Sequence, residues 1–440
     1  MGPKAIFIIN YRNRDPENLN NTLLISKLLL NRGWKVELIS EEKEIFEKVN
    51  NFIPTNYLRS PVINRFSSLL RGLRATNTFE SYMKYHNPIF LEYNSYNYKV
   101  LEHGYENSKR IISLFRQIEK IVNRMKPDIL FGDGSFLTFF IGKKYQIPII
   151  QIVNHVTFPE NSHLIWWKRA PNVLIPPRST EIFLPLFLMI KEEPVVEAIK
   201  MLQGNAYLIP GTDDFIPVKT KAPFCHYGIN FGSEWDNRLL RIDRKKRKKK
   251  VLVKIKKNDN KLRIENVIKK LLEALIKYDA QIIFSNPQHI LEPYISEFRN
   301  NNIEVFNWVK SPGVFPVLDL VIHFGEICDC FEAVYWGTPQ IIIPSQTEQE
   351  SLARITKNLI LGEFLFFAKQ PLRLGKIPHT FGQYTINYGC EEDKDNFKIF
   401  ETIDKVIGSK KYLHRISEVQ NKLYINFNED KISSFINNSF

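Results

Sequence analysis

The feature that most constrains the fold is an alternation that runs twice through the chain. Short apolar, β-branched runs are each followed by a stretch with helical periodicity. In the first half the runs are Ala5–Ile9, Val36–Ile39, Ile129–Phe131 and Ile149–Val153, and the helical stretches include Leu19–Arg32 and one near Glu106–Arg124. The latter spaces Ile111, Leu114, Phe115, Ile118, Ile121, Val122 and Met125 at i, i+3, i+4, i+7, an apolar stripe that has to face a core. In the second half the runs are Val251–Ile255, Ile282–Phe284, Ile303–Phe306, Leu320–His323 and Gln340–Ile343. Helical patterns near Leu262–Tyr278, Ile290–Asn300, Asp329–Trp336 and Glu348–Leu361 separate them. Alternation of this kind predicts parallel sheets with helices on both faces, in two α/β domains that leave a cleft between them. Ligands of such sheets bind beyond the carboxyl ends of the strands, so the residues just after each run are the ones to weigh for function.

The 440 residues suffice for two or three domains with full cores. A hydrophobic content of 44% with 25% charged residues excludes disorder, collagen and coiled coil. Four cysteines, Cys225, Cys328, Cys330 and Cys390, are too few and too irregularly spaced for a secreted disulfide framework or paired zinc knuckles, so a reduced, cytoplasmic chain is expected. The N-terminal apolar run, Ala5 to Ile9, reads as a buried strand and not as a signal peptide. No stretch approaches the roughly 18–20 apolar residues of a membrane span. Ile182–Ile190 is half as long and broken by Pro185, so it can touch a bilayer or an apolar acceptor without crossing.

The formal charge is +14, and ten basic residues with no acid lie between Arg244 and Lys257. A single run of this kind reads first as a solvated linker, with anionic lipid or nucleic acid as alternatives; nucleic acid is disfavoured because the charge does not spread over a face. The Pro-, Gly- and Asp-rich text from Gly204 to Gly232 reads as an irregular connector. The boundaries expected are therefore a first domain at 1–240, a basic linker at 241–250, a second domain at 251–410 and a C-terminal helical segment at 411–440 that packs back on the first.

From Trp308 to Ala353 the sequence reads WVKSPGVFPVLDLVIHFGEICDCFEAVYWGTPQIIIPSQTEQESLA. Counted from Glu332, Gly337 stands at +5, Pro339 at +7, Pro344 at +12, Glu348 at +16 and Gln349 at +17. In these residues the chain resembles nucleotide-sugar glycosyltransferases of the UDP-glycosyltransferase and macrolide-glycosyltransferase type. The resemblance implies the GT-B fold, two Rossmann-like domains facing a cleft, with acceptor bound by the first and donor by the second. It also assigns roles: Trp308, with Val309 beside it, stacks on the donor base, Glu332 binds the ribose diol, and Glu348 and Gln349 bind the sugar hydroxyls. Physical alternatives remain beside these roles: a core Trp, a Glu332 paired with a neighbouring Lys, and a helix-start acid at Glu348.

The departures fall at the diphosphate. The family's phosphate-binding His corresponds to Phe324, with His323 one position earlier, and its two glycines correspond to Gly325 and Glu326. The hydroxyl residue that follows corresponds to Asp329. Carboxylates repel phosphate, so compensation is expected from Lys256 and Lys257, in the turn after the first strand of this domain.

In the first domain LLLNRGWKVELI resembles the family's L-x-x-R-G-H-x-V, and counting back from Gly33 places Asn18 where the family has its catalytic His. An amide is not a base. The family's supporting Asp corresponds to Asp133, in PDILFGD, so Asp133 is the first candidate base, with Asp15 and Glu17 in the loop after the first strand as the others. His155 also follows a carboxyl edge and reads more simply as a structural residue. Nothing resembles a D-x-D metal motif, and no cofactor beyond a nucleoside diphosphate sugar, UDP-linked by the resemblance, is expected. Trp166, Trp167, Phe183, Phe187 and Leu188 suit an apolar acceptor, and with the basic run they allow a lipid at the inner membrane face; a glycan or small-molecule acceptor stays open. The function expected is metal-independent transfer of a sugar to a hydroxyl with inversion. The alternatives are a sugar-nucleotide epimerase on the same fold and a catalytically silent subunit that binds a nucleotide sugar.

Overall fold

The structure is a computed structural model that describes residues 2–10, 16–43, 49, 51–59, 96–105, 107–154, 157–160, 178–213, 215–228, 248–255, 261–278, 280–285, 303–306, 314–344, 347–365, 374–379, 382–387, 396–426 and 429–439. The first half contains β1 (Lys4–Ile9), α1 (Pro16–Asn31), β2 (Lys35–Ser40), β3 (Thr55–Tyr57), α2 (Asn97–Glu102) and α3 (Ser108–Met125). It continues with β4 (Ile129–Asp133), α4 (Leu137–Tyr145), β5 (Ile149–Ile152), α5 (Leu184–Ile190), β6 (Ala206–Ile209) and β7 (Phe224–His226). Its seven strands form one parallel sheet in the order β3-β2-β1-β4-β5-β6-β7. Phe7 and Phe131, opposite each other in register on β1 and β4, stack with ring centroids 4.3 Å apart.

The second half contains β8 (Lys250–Lys254), α6 (Lys261–Ile276), β9 (Gln281–Ser285), β10 (Ile303–Phe306), β11 (Leu320–His323), α7 (Ile327–Tyr335), β12 (Gln340–Ile342), α8 (Thr347–Asn358) and β13 (Gly362–Phe364). These six strands form a second parallel sheet, β10-β9-β8-β11-β12-β13. An antiparallel hairpin, β14 (Leu374–His379) and β15 (Gly382–Asn387), and the helices α9 (Asn396–Val406), α10 (Lys410–Asn426) and α11 (Glu429–Asn438) complete the chain.

In each sheet the strand order reverses once, between β1 and β4 and between β8 and β11. Crossover helices leave opposite faces at such a point, so a crevice opens beyond the carboxyl ends of those two strands. The crevice residues are Asn10 and Asp133 in the first half, and Lys254 and His323 in the second.

The amphipathic stripe is realised in α3, which buries Ile111, Leu114, Phe115, Ile118, Val122 and Met125; Ile121 is only partly covered. The Asn107 side chain accepts from the Lys109 N–H at 2.7 Å and caps the start of the helix, and Lys126 ends it in the left-handed region, φ 51°. The Gly204–Gly232 stretch is not wholly irregular, since β6 and β7 lie within it. Ala206–Ile209 is buried along its whole length, and a strand covered on both faces shows no polar alternation to betray it. The expected helix at Ile290–Asn300 lies outside the described residues.

The two halves share packing. Tyr207, Ile209, Phe215 and Ile216 belong to the same apolar core as Val251, Ile322 and Phe331. Phe215 and Phe331 approach to 4.4 Å between centroids. Gly211, at φ +86°, lets the chain pass so close to Phe331 that an added Cβ would lie 2.2 Å from its Cζ. Gln420 on α10 donates to the Tyr335 carbonyl of α7 at 2.6 Å. Beyond it, α11 returns to the first half, where Ile432 and Ile436 pack with Ile25, Leu28 and Leu29, and Asp430 pairs with Arg32.

Candidate active site

At the first crevice, Asp133 is the last residue of β4 and is buried. Its Oδ2 accepts the Thr22 hydroxyl of α1 at 2.5 Å, and its carbonyl accepts the Asn10 N–H at 3.0 Å. Thr22 stands one helical turn after Asn18, on the same face of α1. Glu17 and Asn18 lie in the first turn of α1, with side chains outside the described part of the chain; Asp15, His155, Trp166 and Trp167 lie outside the described residues.

Asn10 begins a buried polar chain that sequence reasoning missed. Its Nδ2 donates to Tyr105 Oη at 2.8 Å and lies 3.2 Å from His103 Nδ1. Tyr105 Oη donates to Glu41 Oε1 at 2.7 Å, and Arg110 holds the other Glu41 oxygen at 2.7 Å. Because an amide nitrogen can only donate, His103 Nδ1 accepts in this contact. The chain fixes the end of α2 against the rim of the first sheet. One turn earlier on α2, Lys99 Nζ reaches Glu348 Oε1 in the second half at 3.0 Å.

The second crevice is built around Lys254, the last residue of β8. Its ammonium bonds to Asp329 in the first turn of α7 and to Glu332 Oε2 at 2.9 Å. The three side chains are only 16%, 13% and 10% exposed. Burial raises the Glu332 pKa and Asp329 adds to the rise, while Lys254 opposes it. The carboxylate that the resemblance gives to the ribose is thus held by a lysine, and the acid at the family's hydroxyl position has a counter-ion. Lys254 stands in the same basic run as Lys256 and Lys257, which lie outside the described residues together with Trp308 and Val309.

His323 ends β11 and is buried. Its Nδ1 accepts the Gly325 N–H at 3.1 Å and its Nε2 meets Gln340 Oε1 at 2.8 Å, so the ring is neutral with the proton on Nε2. Burial lowers its pKa in keeping with this. Phe324 turns into the core. Gly325, φ +89°, gives the turn into α7, and a Cβ there would lie 2.8 Å from Ile342 Cγ2 and 3.2 Å from Gln349 Cβ. Gln349, buried on α8, donates to Glu326 Oε1 at 2.9 Å. The structure therefore gathers His323, Gly325, Glu332, Glu348 and Gln349 around one sheet edge, with Lys254 among them, whereas Phe324, expected at the donor, is withdrawn into the core. Among the described residues no group of three or more His, Cys, Asp or Glu is placed to hold a metal ion. Among them, too, no helix is long and apolar enough to cross a membrane.

No family model matches the chain, and no curated protein matches it in sequence. Solved structures do match in fold. The calicheamicin glycosyltransferase CalG4 superposes with a TM-score of 0.66 at 14% identity, over 100% of this chain and 98% of the other. The spinosyn rhamnosyltransferase SpnG complexed with thymidine diphosphate gives 0.63 at 12%, over 98% and 100%. SpnG complexed with spinosyn aglycone gives 0.62 at 12%, over 98% and 99%. With its two parallel sheets, the chain has the GT-B fold, as the motif from Trp308 to Gln349 led one to expect.

Proposed function

We propose that the protein is a glycosyltransferase that moves a sugar from a nucleoside diphosphate sugar to a hydroxyl of a small-molecule acceptor. The observation that carries this reading is the meeting of Gly325, Glu332 and Gln349, residues of one sequence motif, at the crevice of the second sheet, while Asp133 closes the crevice of the first. The halves divide the work: residues 1–240 bind the acceptor, 251–410 bind the donor, and 411–440 tie the second half to the first. SpnG, complexed in one structure with thymidine diphosphate and in another with spinosyn aglycone, supports both a nucleotide donor and a small-molecule acceptor.

Asp133 acts as the general base. Its carboxylate takes the acceptor proton, the acceptor oxygen bonds to the anomeric carbon, and the bond to the diphosphate breaks on the opposite face with inversion. Thr22 orients that carboxylate. Glu332 binds the ribose, and Glu348 and Gln349 the sugar hydroxyls. Lysine, not a metal ion, meets the charge of the leaving diphosphate.

A thermal-shift screen of nucleoside diphosphate sugars tests the donor half, because a ligand at 100 times its Kd stabilises by about 2.7 kcal/mol. A hit that Glu332→Ala abolishes, followed by transfer to small apolar alcohols, is the expected result. Binding without transfer or donor hydrolysis would mark a silent nucleotide-sugar-binding subunit instead.

A further inference from the structure

Resting on that function, we propose that Lys254 is the donor's diphosphate ligand: it gives up its carboxylate partners to phosphate oxygens as the nucleotide enters. The second crevice lies beyond β8 and β11, and Lys254 is the strand-end residue of β8 whose ammonium already occupies it. The same ammonium joins Asp329 and Glu332, three residues apart on one face of α7. Glu332 stands at the motif position for a ribose, so a ligand that takes this carboxylate removes a partner of Lys254 in the same event.

The charges run in the same direction. Two carboxylates share one ammonium on a rim that, in the proposed function, receives an anion. Carboxylates repel phosphate, so of these three side chains it is the lysine that can turn to a diphosphate. A buried ammonium can trade partners at small cost where an unpaired one could not exist. Asp329 then has a defined effect. It competes with phosphate for Lys254, lowering affinity for any diphosphate while leaving affinity for the base and ribose alone.

Calorimetric titration of the full chain with uridine diphosphate and thymidine diphosphate, each against its free nucleoside, tests this. Lys254→Met is expected to lower the ratio of diphosphate to nucleoside affinity by about 10- to 100-fold, the range for losing one charged hydrogen bond, with Lys254→Arg restoring much of the loss. Asp329→Asn, which keeps the lysine and so spares the fold, is expected to tighten the diphosphate and leave the nucleoside alone. Equal diphosphate-to-nucleoside ratios in wild type, Lys254→Met and Asp329→Asn would overturn the assignment while the glycosyltransferase reading stood. A wild-type protein that bound neither diphosphate nor nucleoside would overturn both. If Lys254→Met does not fold, Asp329→Asn decides: tightening supports the exchange, and no change refutes it.

Discussion

Lys99 and Glu348 join the two halves of the molecule, Nζ to Oε1 at 3.0 Å, with the lysine on α2 beside the first crevice and the glutamate at the start of α8 beside the second. Both side chains are largely withdrawn from water, 13% and 30% exposed. The pair thus tethers the first half to a residue that the proposed function gives to the donor sugar.

A double-mutant cycle on Lys99→Met and Glu348→Gln is expected to show a coupling of about 0.5–1 kcal/mol in urea unfolding. Saturating donor is expected to shrink the coupling, since sugar hydroxyls then compete for Glu348. A coupling unchanged by donor would separate this ion pair from the site.

The bond from Thr22 to Asp133 bears on the chemical step. Thr22→Val is expected to cost about 1.5–3 kcal/mol of stability, the range for losing a hydrogen bond to a charged group, while Thr22→Ser costs little. Asp133→Asn is expected to stop turnover and leave donor affinity intact. Turnover persisting in Asp133→Asn would return the role of base to Asp15 or Glu17.

Much of this site could be read from the chain, and the parts that could not have physical reasons. The offsets from Glu332 pointed to one sheet edge, where Glu332, Glu348 and Gln349 lie, because strand-helix spacing fixes which residues reach a carboxyl rim. Lys254 was hidden. It sits inside a basic run that looks uniformly solvated, and its partners lie 75 and 78 residues away in sequence. Thr22 and the Asn10 chain were equally silent, since their bonds span 64 residues or more. In the fold, the apolar runs of β1, β4 and β8 were legible, while β6 was hidden by the Pro-, Gly- and Asp-rich text around it. The three-residue strands β3, β7 and β13 carry too few side chains to show a period.

Gly325→Ala is expected to destabilise the protein by about 1–3 kcal/mol, because its backbone is left-handed and its Cβ would strike Ile342 and Gln349. Donor affinity should fall in the same variant, since Gln349 has to move. Melting and titration of one preparation would check both.

Stability should fall in mild acid. Burial holds His323 and His226 below the ordinary imidazole value of 6.5. The unfolded chain then takes up protons before the folded one as pH drops, so the stability present above the unfolded value is lost below it. Melting temperature is expected to decline between about pH 7.5 and about pH 5.5. The slope should be shallower in His323→Gln. A slope identical to wild type would mean that His323 is not held neutral.

The most direct test of the whole reading is a crystal structure with a nucleoside diphosphate bound. The expected result is a ribose on the Glu332 carboxylate and the Lys254 ammonium turned onto the phosphates at the edge of the second sheet. A nucleotide seated elsewhere, with Lys254 still closed on Asp329 and Glu332, would contradict it.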